Sequence, residues 1–265
     1  VAPNTPVYLT HASGHAAIAN DAALEKAGIG PNTANPQGGT IVRDAQGRAT
    51  GVLLETADGL VRDAVEQSRS DLTAKERRAR RKKQVRLAAE NALAHGVTSF
   101  HDQGAPFQTI ELYREMAQND ELDIRMYAMV SQGEVTPETQ DSLAALRRVG
   151  AADHHFTVRS IGEVTVDGAL GSRTAWMLKP YNDASGETGT NVTEMDRVRE
   201  IAMIAMEEDY QLAVHAIGDR ANRESLDLFA SLFDESGVDG EALRWRIEHA
   251  QHLYPDDIPR FADLG

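Results

Sequence analysis

The chain has 265 residues, no cysteine, and 41 acidic against 27 basic side chains, which leaves a formal net charge of −14. This negative field argues against nucleic acid as a partner, because phosphate backbones are repelled by it. The lack of cysteine excludes disulfides and thiolate metal sites, and no apolar run reaches the about 20 residues that a membrane span needs.

The amino end gives two expectations about context. Residues 1–7 have neither the basic start nor the apolar stretch of a signal peptide, so a cytoplasmic location is the simplest expectation. The chain begins with Val1 rather than methionine, which favours a piece of a longer protein. Its length suits an α/β barrel domain, since such domains typically run to about 250 residues.

Residues 1–70 predict an irregular segment, rich in Gly, Asn, Thr and Pro, ahead of the regular part of the chain. A short helix is predicted over 20–26 and ends at Gly28. A hairpin is predicted from 39–43 and 51–54, with Gly47 as its turn residue.

Residues 71–265 predict strands that alternate with helices. Thr73-Ala-Lys-Glu76 is a capping box that opens a helix ending at Gly96, and the basic run at 77–86 is interpreted as the solvated face of that helix. Further helices are predicted at 106–118, 137–149, 193–209 (capped by Thr193), 222–233 and 256–263. Five strands are predicted at 97–101, 124–130, 156–166, 212–215 and 244–249. Such alternation indicates a parallel sheet with right-handed crossovers.

Two histidines end successive predicted strands. His215 closes the apolar run Leu212-Ala-Val-His215, and His249 closes Trp245-Arg-Ile-Glu-His249. Parallel strands direct their carboxyl ends to one rim, where α/β folds place function. Since His is the commonest metal ligand, the pair indicates a metal site, against the alternative of two hydrogen-bonded core residues.

Glu163 lies one β/α unit earlier, among the apolar residues of the strand at 156–166. A buried carboxylate needs a partner, because an unpaired buried charge costs several kcal/mol. That partner is either a metal ion or an arginine, and the residues alone leave both open. Asp167-Gly168 follows, and is interpreted as a simple turn or as backbone that approaches a substrate.

Other candidates sit near the same rim. Arg173 could bind a substrate carboxylate or a neighbouring aspartate. Asp219 could orient His215 through a hydrogen bond or serve as a helix N-cap. His101 and Asp102 are interpreted as a structural pair at a strand end, and the alternative is that they bind substrate or support a metal ligand at the same rim. His15 is a further candidate for binding substrate or supporting the site, although it lies in a loop, where a lone histidine usually has no special role.

Seven motifs resemble the amidohydrolase family 3 branch of the metal-dependent amidohydrolases, to which N-substituted formamide deformylase belongs. They follow the family's order along nearly the whole chain: Gly14-His-Ala-Ala-Ile-Ala-Asn20, Gly39-Thr-Ile-Val-Arg-Asp44, Gly51-Val-Leu-Leu-Glu55, Gly96-Val-Thr-Ser-Phe-His-Asp102, Asp167-Gly-Ala-Leu-Gly-Ser-Arg173, His215-Ala-Ile-Gly-Asp219 and Arg246-Ile-Glu-His-Ala-Gln251. The chain contains no Gly-x-Ser-x-Gly elbow or Walker loop, so serine-hydrolase and nucleotide-binding chemistry have no motif support.

The resemblance implies a (β/α)8 barrel hydrolase with one or two divalent ions, which activate water for attack on an amide-type carbonyl carbon. By motif match, His215 and His249 are the metal ligands of barrel strands five and six. Glu163 occupies the strand-four position, where the family usually has a lysine. Zinc is the expected metal, although iron, manganese and nickel suit the same donors.

The chain also departs from the family pattern. It contains no His-x-His pair, which members carry on strand one, and the strand-eight aspartate that acts as general base is expected beyond Gly265. We therefore expect barrel strands two to six only, no activity from these residues alone, and self-association that covers the exposed sheet edges. The alternatives are a non-catalytic α/β binding module with a structural His pair, and a lyase or isomerase on the same barrel.

Overall fold

The computed structural model describes residues 4–11, 16–36, 39–70 and 72–265. The chain divides into two compact units, Val1–Arg81 and Lys82–Gly265. The boundary falls inside a long helix, and the domain roles assigned above to 1–70 and 71–265 stay predictions. Among the described residues, none of the helices has the length and apolar character required to cross a membrane.

The first unit contains a four-stranded antiparallel sheet in the order β1-β2-β4-β3. Its strands are β1 (Tyr8–Thr10), β2 (Ala16–Ala19), β3 (Gly39–Arg43) and β4 (Ala49–Glu55), and its helices are α1 (Asp21–Lys26), α2 (Asp58–Ser70) and the start of α3 (Ala74–Ala94). The predicted helix and hairpin are confirmed, whereas the expectation of an otherwise irregular segment is wrong. Strands β1 and β2 were missed because they are very short and β2 is rich in alanine, which has low strand propensity.

Side-chain hydrogen bonds fix the local structure of this unit. Asp44 Oδ1 accepts from the backbone N–H groups of Gln46 and Arg48, both at 2.9 Å, which closes the hairpin turn between β3 and β4. Thr73 Oγ1 accepts from Glu76 N–H at 3.2 Å while Glu76 Oε2 accepts from Thr73 N–H at 2.8 Å. The capping box predicted at the start of α3 is therefore confirmed.

The second unit contains the predicted parallel sheet, in the order β10-β9-β8-β6-β5. Its parallel strands are β5 (Ser99–Ala105), β6 (Arg125–Val130), β8 (Phe156–Thr165), β9 (Gln211–Ala216) and β10 (Arg246–His249), and the short β7 (Arg148–Gly150) pairs antiparallel with β8. The helices are α4 (Phe107–Gln118), α5 (Gln140–Leu146), α6 (Ala151–His154), α7 (Met195–Glu207), α8 (Asp219–Ser236), α9 (Gly240–Leu243) and α10 (Ile258–Asp263), with 3₁₀ turns at Gln132–Glu134, Pro137–Thr139 and Pro255–Asp257.

Two predicted helices differ in detail. The helix predicted over 137–149 ends at Leu146, because the next residues extend and Arg148 pairs with Val158 of β8. The helix predicted to be capped by Thr193 starts at Met195, and its N-cap position, Glu194, makes no side-chain capping bond. In the first case a strand contact made by the folded chain overrides the local sequence pattern.

The parallel sheet is curled. Gln103 on β5 donates through Nε2 to Glu248 Oε2 on β10 at 3.3 Å, although these are the two outer strands of the parallel path. Four steps of about 4.8 Å would separate them by about 19 Å in a flat sheet, which two side chains of this length cannot span. The inner face is therefore concave, and its side chains converge across it.

Candidate metal centre

Glu163, His215 and His249 lie together at the carboxyl ends of three adjacent parallel strands, β8, β9 and β10. One ligand atom from each residue falls within 4.8 Å of the others. The pairing register places His215 beside Thr165 on one side and Glu248 on the other. The convergence at one rim predicted from sequence is thus what the fold produces, because adjacent parallel strands end at the same edge.

A local irregularity in β8 presents Glu163 to the site. The pairing between β8 and β9 shifts register between Ile161 and Val164, and Gly162 has a φ of +151°. A Cβ atom on Gly162 would lie 2.7 Å from the Ala213 carbonyl oxygen, so only glycine fits this close approach. The irregularity changes which residues face inward near the end of β8.

The Glu163 carboxylate lies between the two imidazoles. Oε2 is 3.5 Å from His215 Nδ1 and Oε1 is 3.2 Å from His249 Nε2. Oε1 nevertheless lacks the alignment of a hydrogen bond and is buried without any other partner. Burial raises the pKa of Glu163, but the hydrogen bond and charge of His215 and the charge of His249 outweigh burial, so the pKa lies below its ordinary value.

His215 is held between a carboxylate and a carbonyl. Its Nε2 lies 3.2 Å from the Gly168 carbonyl oxygen, which can only accept, so the Nε2 proton is assigned from this partner. In the neutral ring Nδ1 then carries a lone pair directed toward Glu163. Burial lowers the pKa of His215, but the hydrogen bonds to Glu163 and Gly168 and the nearby acidic charges raise it above its ordinary value overall.

His249 reaches the site through an unusual backbone. Its φ is +69° and that of Ala250 is +42°, a left-handed conformation that residues other than glycine rarely adopt. The imidazole stands edge-to-face against His215 with ring centroids 4.5 Å apart, and 44% of the side chain is exposed. Such conformations cluster at functional sites, where the surrounding structure holds them in place.

Asp167 is completely buried behind His215. Its Oδ1 accepts from Ile217 N–H at 2.9 Å, and its Oδ2 accepts from the N–H groups of Gly218 and Trp176, both at 2.8 Å. Burial raises the pKa of Asp167, and these backbone hydrogen bonds only partly oppose it. The interpretation of Asp167-Gly168 as a simple turn misses this role in joining two loops.

Two other candidates act away from the three-residue group. Asp219 Oδ1 accepts from Leu178 N–H at 2.7 Å, and Gly218 occupies the N-cap of α8. The sequence analysis predicted that Asp219 orients His215 or caps the helix. In the structure Asp219 instead binds the backbone of the loop at Leu178. Arg173 forms an ion pair with Asp183 at 2.8 Å on an exposed loop. Of the two partners considered for Arg173, a substrate carboxylate and a neighbouring aspartate, the structure has the aspartate.

The predicted structural pair of His101 and Asp102 does not form. His101 stacks on Tyr127 with centroids 4.8 Å apart, whereas Asp102 accepts from the Tyr113 hydroxyl at 2.6 Å. Consecutive strand residues point to opposite faces, and β5 continues to Ala105, so neither residue ends the strand. His15 lies outside the described residues.

A polar group on the concave face was missed by the sequence analysis. Arg246 Nε donates to Glu248 Oε1 at 2.7 Å, and Glu248 also accepts from Gln103. The available signal was the alternation Arg246-x-Glu248, which places both side chains on the face that His215 occupies. This group lies next to the metal-ligand candidates and faces the same interior.

Comparison with known protein families gives a match over the full length. The model for a family described as amidohydrolase family matches residues 1–265. The protein LONG AFTER FAR-RED 3 from Arabidopsis thaliana is 32% identical over all of this chain, and the match covers 45% of that protein. N-substituted formamide deformylase from Arthrobacter pascens is 28% identical over all of this chain, with 47% of that protein covered.

A solved structure agrees with these matches. The crystal structure of an uncharacterized metal-dependent hydrolase from Pyrococcus furiosus superimposes with a TM-score of 0.68 and 26% identity, covering 98% of this chain and 49% of that one. This chain thus spans about half the length of the curated relatives it matches.

Proposed function

We propose, because this chain belongs to the amidohydrolase family, that Glu163, His215 and His249 bind a divalent metal ion in a hydrolase acting on carbon–nitrogen bonds of small amides. The observation that carries this proposal is the approach of three ligand atoms to within 4.8 Å of one another at one rim of a parallel sheet. Metal-dependent hydrolases are also among its structural neighbours.

The donor atoms fit a metal ion. Glu163 Oε1 is buried and lacks a hydrogen-bond partner, a state that normally costs about 1–3 kcal/mol unless another group compensates it. His215 offers the Nδ1 lone pair, because its Nε2 faces the Gly168 carbonyl. Two imidazole nitrogens and a carboxylate oxygen suit zinc, and iron, manganese and nickel accept the same donors.

A metal bound here would polarise a substrate carbonyl and increase the acidity of water. The chain's own residues have separate tasks in this proposal. His215 is oriented by Gly168, and His249 is oriented by its left-handed backbone. The nearby Gln103 amide and the Arg246–Glu248 pair line the concave face, where they could hold the amide group of a substrate.

The substrate class is part of the proposal. One relative is named an N-substituted formamide deformylase, which supports a non-peptide amide or formamide over other bonds. We further propose a partial (β/α)8 barrel. Its support is that β5 and β10 lie four strands apart along the sheet and still touch across the interior, as opposite strands of an eight-stranded barrel do.

We propose that residues 1–265 alone lack turnover. The sequence has no His-x-His pair, so the three donors make only part of the ligand set that the family resemblance implies. No carboxylate has been assigned the general-base role, which typically contributes about 10²–10⁴-fold. A cytoplasmic location, a small-molecule partner and self-association belong to the same proposal.

The deciding experiment measures bound metal. The metal-free protein is titrated with Zn²⁺ or Mn²⁺, and binding of one ion per chain is expected. Loss of a hydrogen-bond partner of a metal ligand typically weakens metal binding by about 10–100-fold. Loss of a ligand itself should weaken binding by more than this, as tested in His215→Ala, His249→Ala and Glu163→Gln. His95→Ala is the matched control, because His95 is an exposed histidine just after the end of α3, and this variant should bind the metal like the unchanged protein.

Activity is assayed separately, on formamides, N-acyl amides and cyclic amides. Absence of metal binding in the unchanged protein would favour the structural His pair of a non-catalytic module. Turnover by residues 1–265 that disappears in His215→Ala would overturn the proposed inactivity while supporting the hydrolase assignment.

A further inference from the structure

Asp167 joins three segments around the proposed metal site. It follows β8 directly, it accepts from Trp176 N–H in the loop after β8, and it accepts from Ile217 and Gly218 in the turn after β9. The Trp176 carbonyl in turn accepts from Arg220 N–H at 3.1 Å, at the start of α8. The loop is therefore bound through both backbone groups of one residue.

This packing leaves no room for adjustment. A Cβ atom on Gly218 would lie 2.0 Å from the Trp176 carbonyl oxygen, so the turn after β9 is in direct backbone contact with the loop. Gly168, whose carbonyl accepts from His215 Nε2, is the residue next to Asp167. Ile217 and Gly218 lie two and three residues after His215. One carboxylate thus holds both sides of the His215–Gly168 hydrogen bond.

Electrostatics favour the same arrangement. Asp167 Oδ1 lies 3.6 Å from His215 Nε2, which is too long for a hydrogen bond. At this distance, inside the protein, its negative charge still attracts a proton on Nε2 over one on Nδ1. Glu163 lies beside Nδ1 and acts in the opposite direction, so the tautomer depends on the balance between the two carboxylates.

We propose that Asp167 is a positioning residue that keeps the His215 proton on Nε2 and so leaves Nδ1 available to the metal. The part of this role that concerns metal binding rests on the proposed function, and the part that concerns the His215 tautomer does not. The fixed tautomer is a property of the metal-free protein. Hydrogen-bond partners that fix a ligand's tautomer typically change metal affinity by about 10–100-fold when they are removed.

The test reads the tautomer directly. Two-bond ¹⁵N–¹H correlation spectra of metal-free protein labelled at histidine are recorded at about pH 9, well above the ordinary histidine pKa of about 6.5. The unchanged protein should show His215 mainly as the Nε2–H form. Asp167→Asn should shift His215 toward a mixture of tautomers and weaken Zn²⁺ binding by about 10–100-fold.

Asp219→Asn is the matched control. It removes the charge of a carboxylate that accepts from Leu178 N–H in the same loop but is not among the groups that contact His215. It should leave the His215 tautomer unchanged. Should Asp167→Asn fail to fold, Asp167→Ser provides a smaller uncharged acceptor for the same comparison.

The outcomes separate the two proposals. An Nδ1–H form in the unchanged protein, or an unaltered tautomer in a folded Asp167 variant, would overturn the positioning role and leave Asp167 as a structural anchor. If the unchanged protein binds no Zn²⁺ but Asp167→Asn alters the His215 tautomer, the proposed metal site is wrong and the control of the tautomer by Asp167 is supported.

Discussion

Two regions of the parallel sheet, β9 in its interior and β5 at its outer edge, are packed very differently. On β9, Leu212, Ala213 and Val214 are fully buried, and α8 buries eight of its side chains against this region. On β5, half of the Phe100 side chain is exposed, and α3 has a single buried side chain, Ala89, among those described. Glu163 and His215 are attached to β8 and to the well-packed β9, where supporting residues can hold side chains within a narrow geometry, whereas His249 lies on the outer strand β10 and is exposed.

A cavity accounts for part of the difference. A space of about 230 Å³ lies between α3, β5, α4 and β6, and α3 faces it with Val85 and three alanines. The space is partly open to the surface, whereas protein interiors rarely contain voids much larger than a water molecule. Small side chains on α3 therefore leave the sheet incompletely covered at β5, and the β5 and β9 regions should contribute unequally to stability.

The largest expected contrast is between two leucines. Leu212→Ala, at a fully buried position of β9, should lower the free energy of unfolding by about 2–5 kcal/mol. Leu87→Ala, on α3 where 53% of the side chain is exposed, should change it by no more than about 0.5 kcal/mol. Urea unfolding of both variants measures the difference. Equal losses of unfolding free energy would contradict the expected difference between the β9 and α3 regions.

An intermediate effect, with opposite signs, is expected from enlarging an alanine. Ala205→Leu on α7, where the side chain is fully buried, should overpack the core and cost about 1–3 kcal/mol. Ala92→Leu on α3 lines the cavity and should gain about 0.5–2 kcal/mol by filling it. Thermal unfolding reports both changes, and destabilisation by Ala92→Leu would mean that the cavity cannot accept a side chain.

The smallest expected effect is on His101, in β5. Burial lowers the pKa of His101, and the positive charge of Arg246 lowers it further. The folded protein then holds fewer protons than the unfolded chain just below about pH 6.5, so unfolding free energy should fall as the pH drops through that window.

NMR titration of His101 should show the pKa rising toward its ordinary value in Arg246→Met. Arg125→Met is the matched control, since Arg125 lies on the neighbouring strand and bonds Thr98. If the His101 pKa is unchanged in Arg246→Met, the charge of Arg246 on β10 does not affect His101 on β5, and the prediction is wrong.

Sequence patterns were sufficient for features set by local chemistry. The five parallel strands followed from apolar runs between helical segments, and the Thr73–Glu76 capping box followed from residue type and spacing. The approach of Glu163, His215 and His249 followed from strand ends meeting at one rim. Their assignment as metal ligands remains a prediction.

Features set by distant parts of the chain were not predictable. The loop that follows β8 returns to Asp167 through Trp176, and nothing in the motif Asp167-Gly168 specifies that partner. His101 and Asp102 were paired because they are neighbours in sequence, although they face opposite sides of β5. The missed strand β2 is held in place by β4, more than 30 residues away.

The bond between Gln103 and Glu248 also bears on the order of folding. It joins residues 145 positions apart, so the chain entropy lost in forming it from an unfolded state is large. That cost falls once β6, β8 and β9 have paired in turn and brought the two outer strands near each other. Contacts of such long range slow folding, and we expect the concave face to acquire its final curvature as one of the last events, after the strands that carry the metal-ligand candidates are already in register.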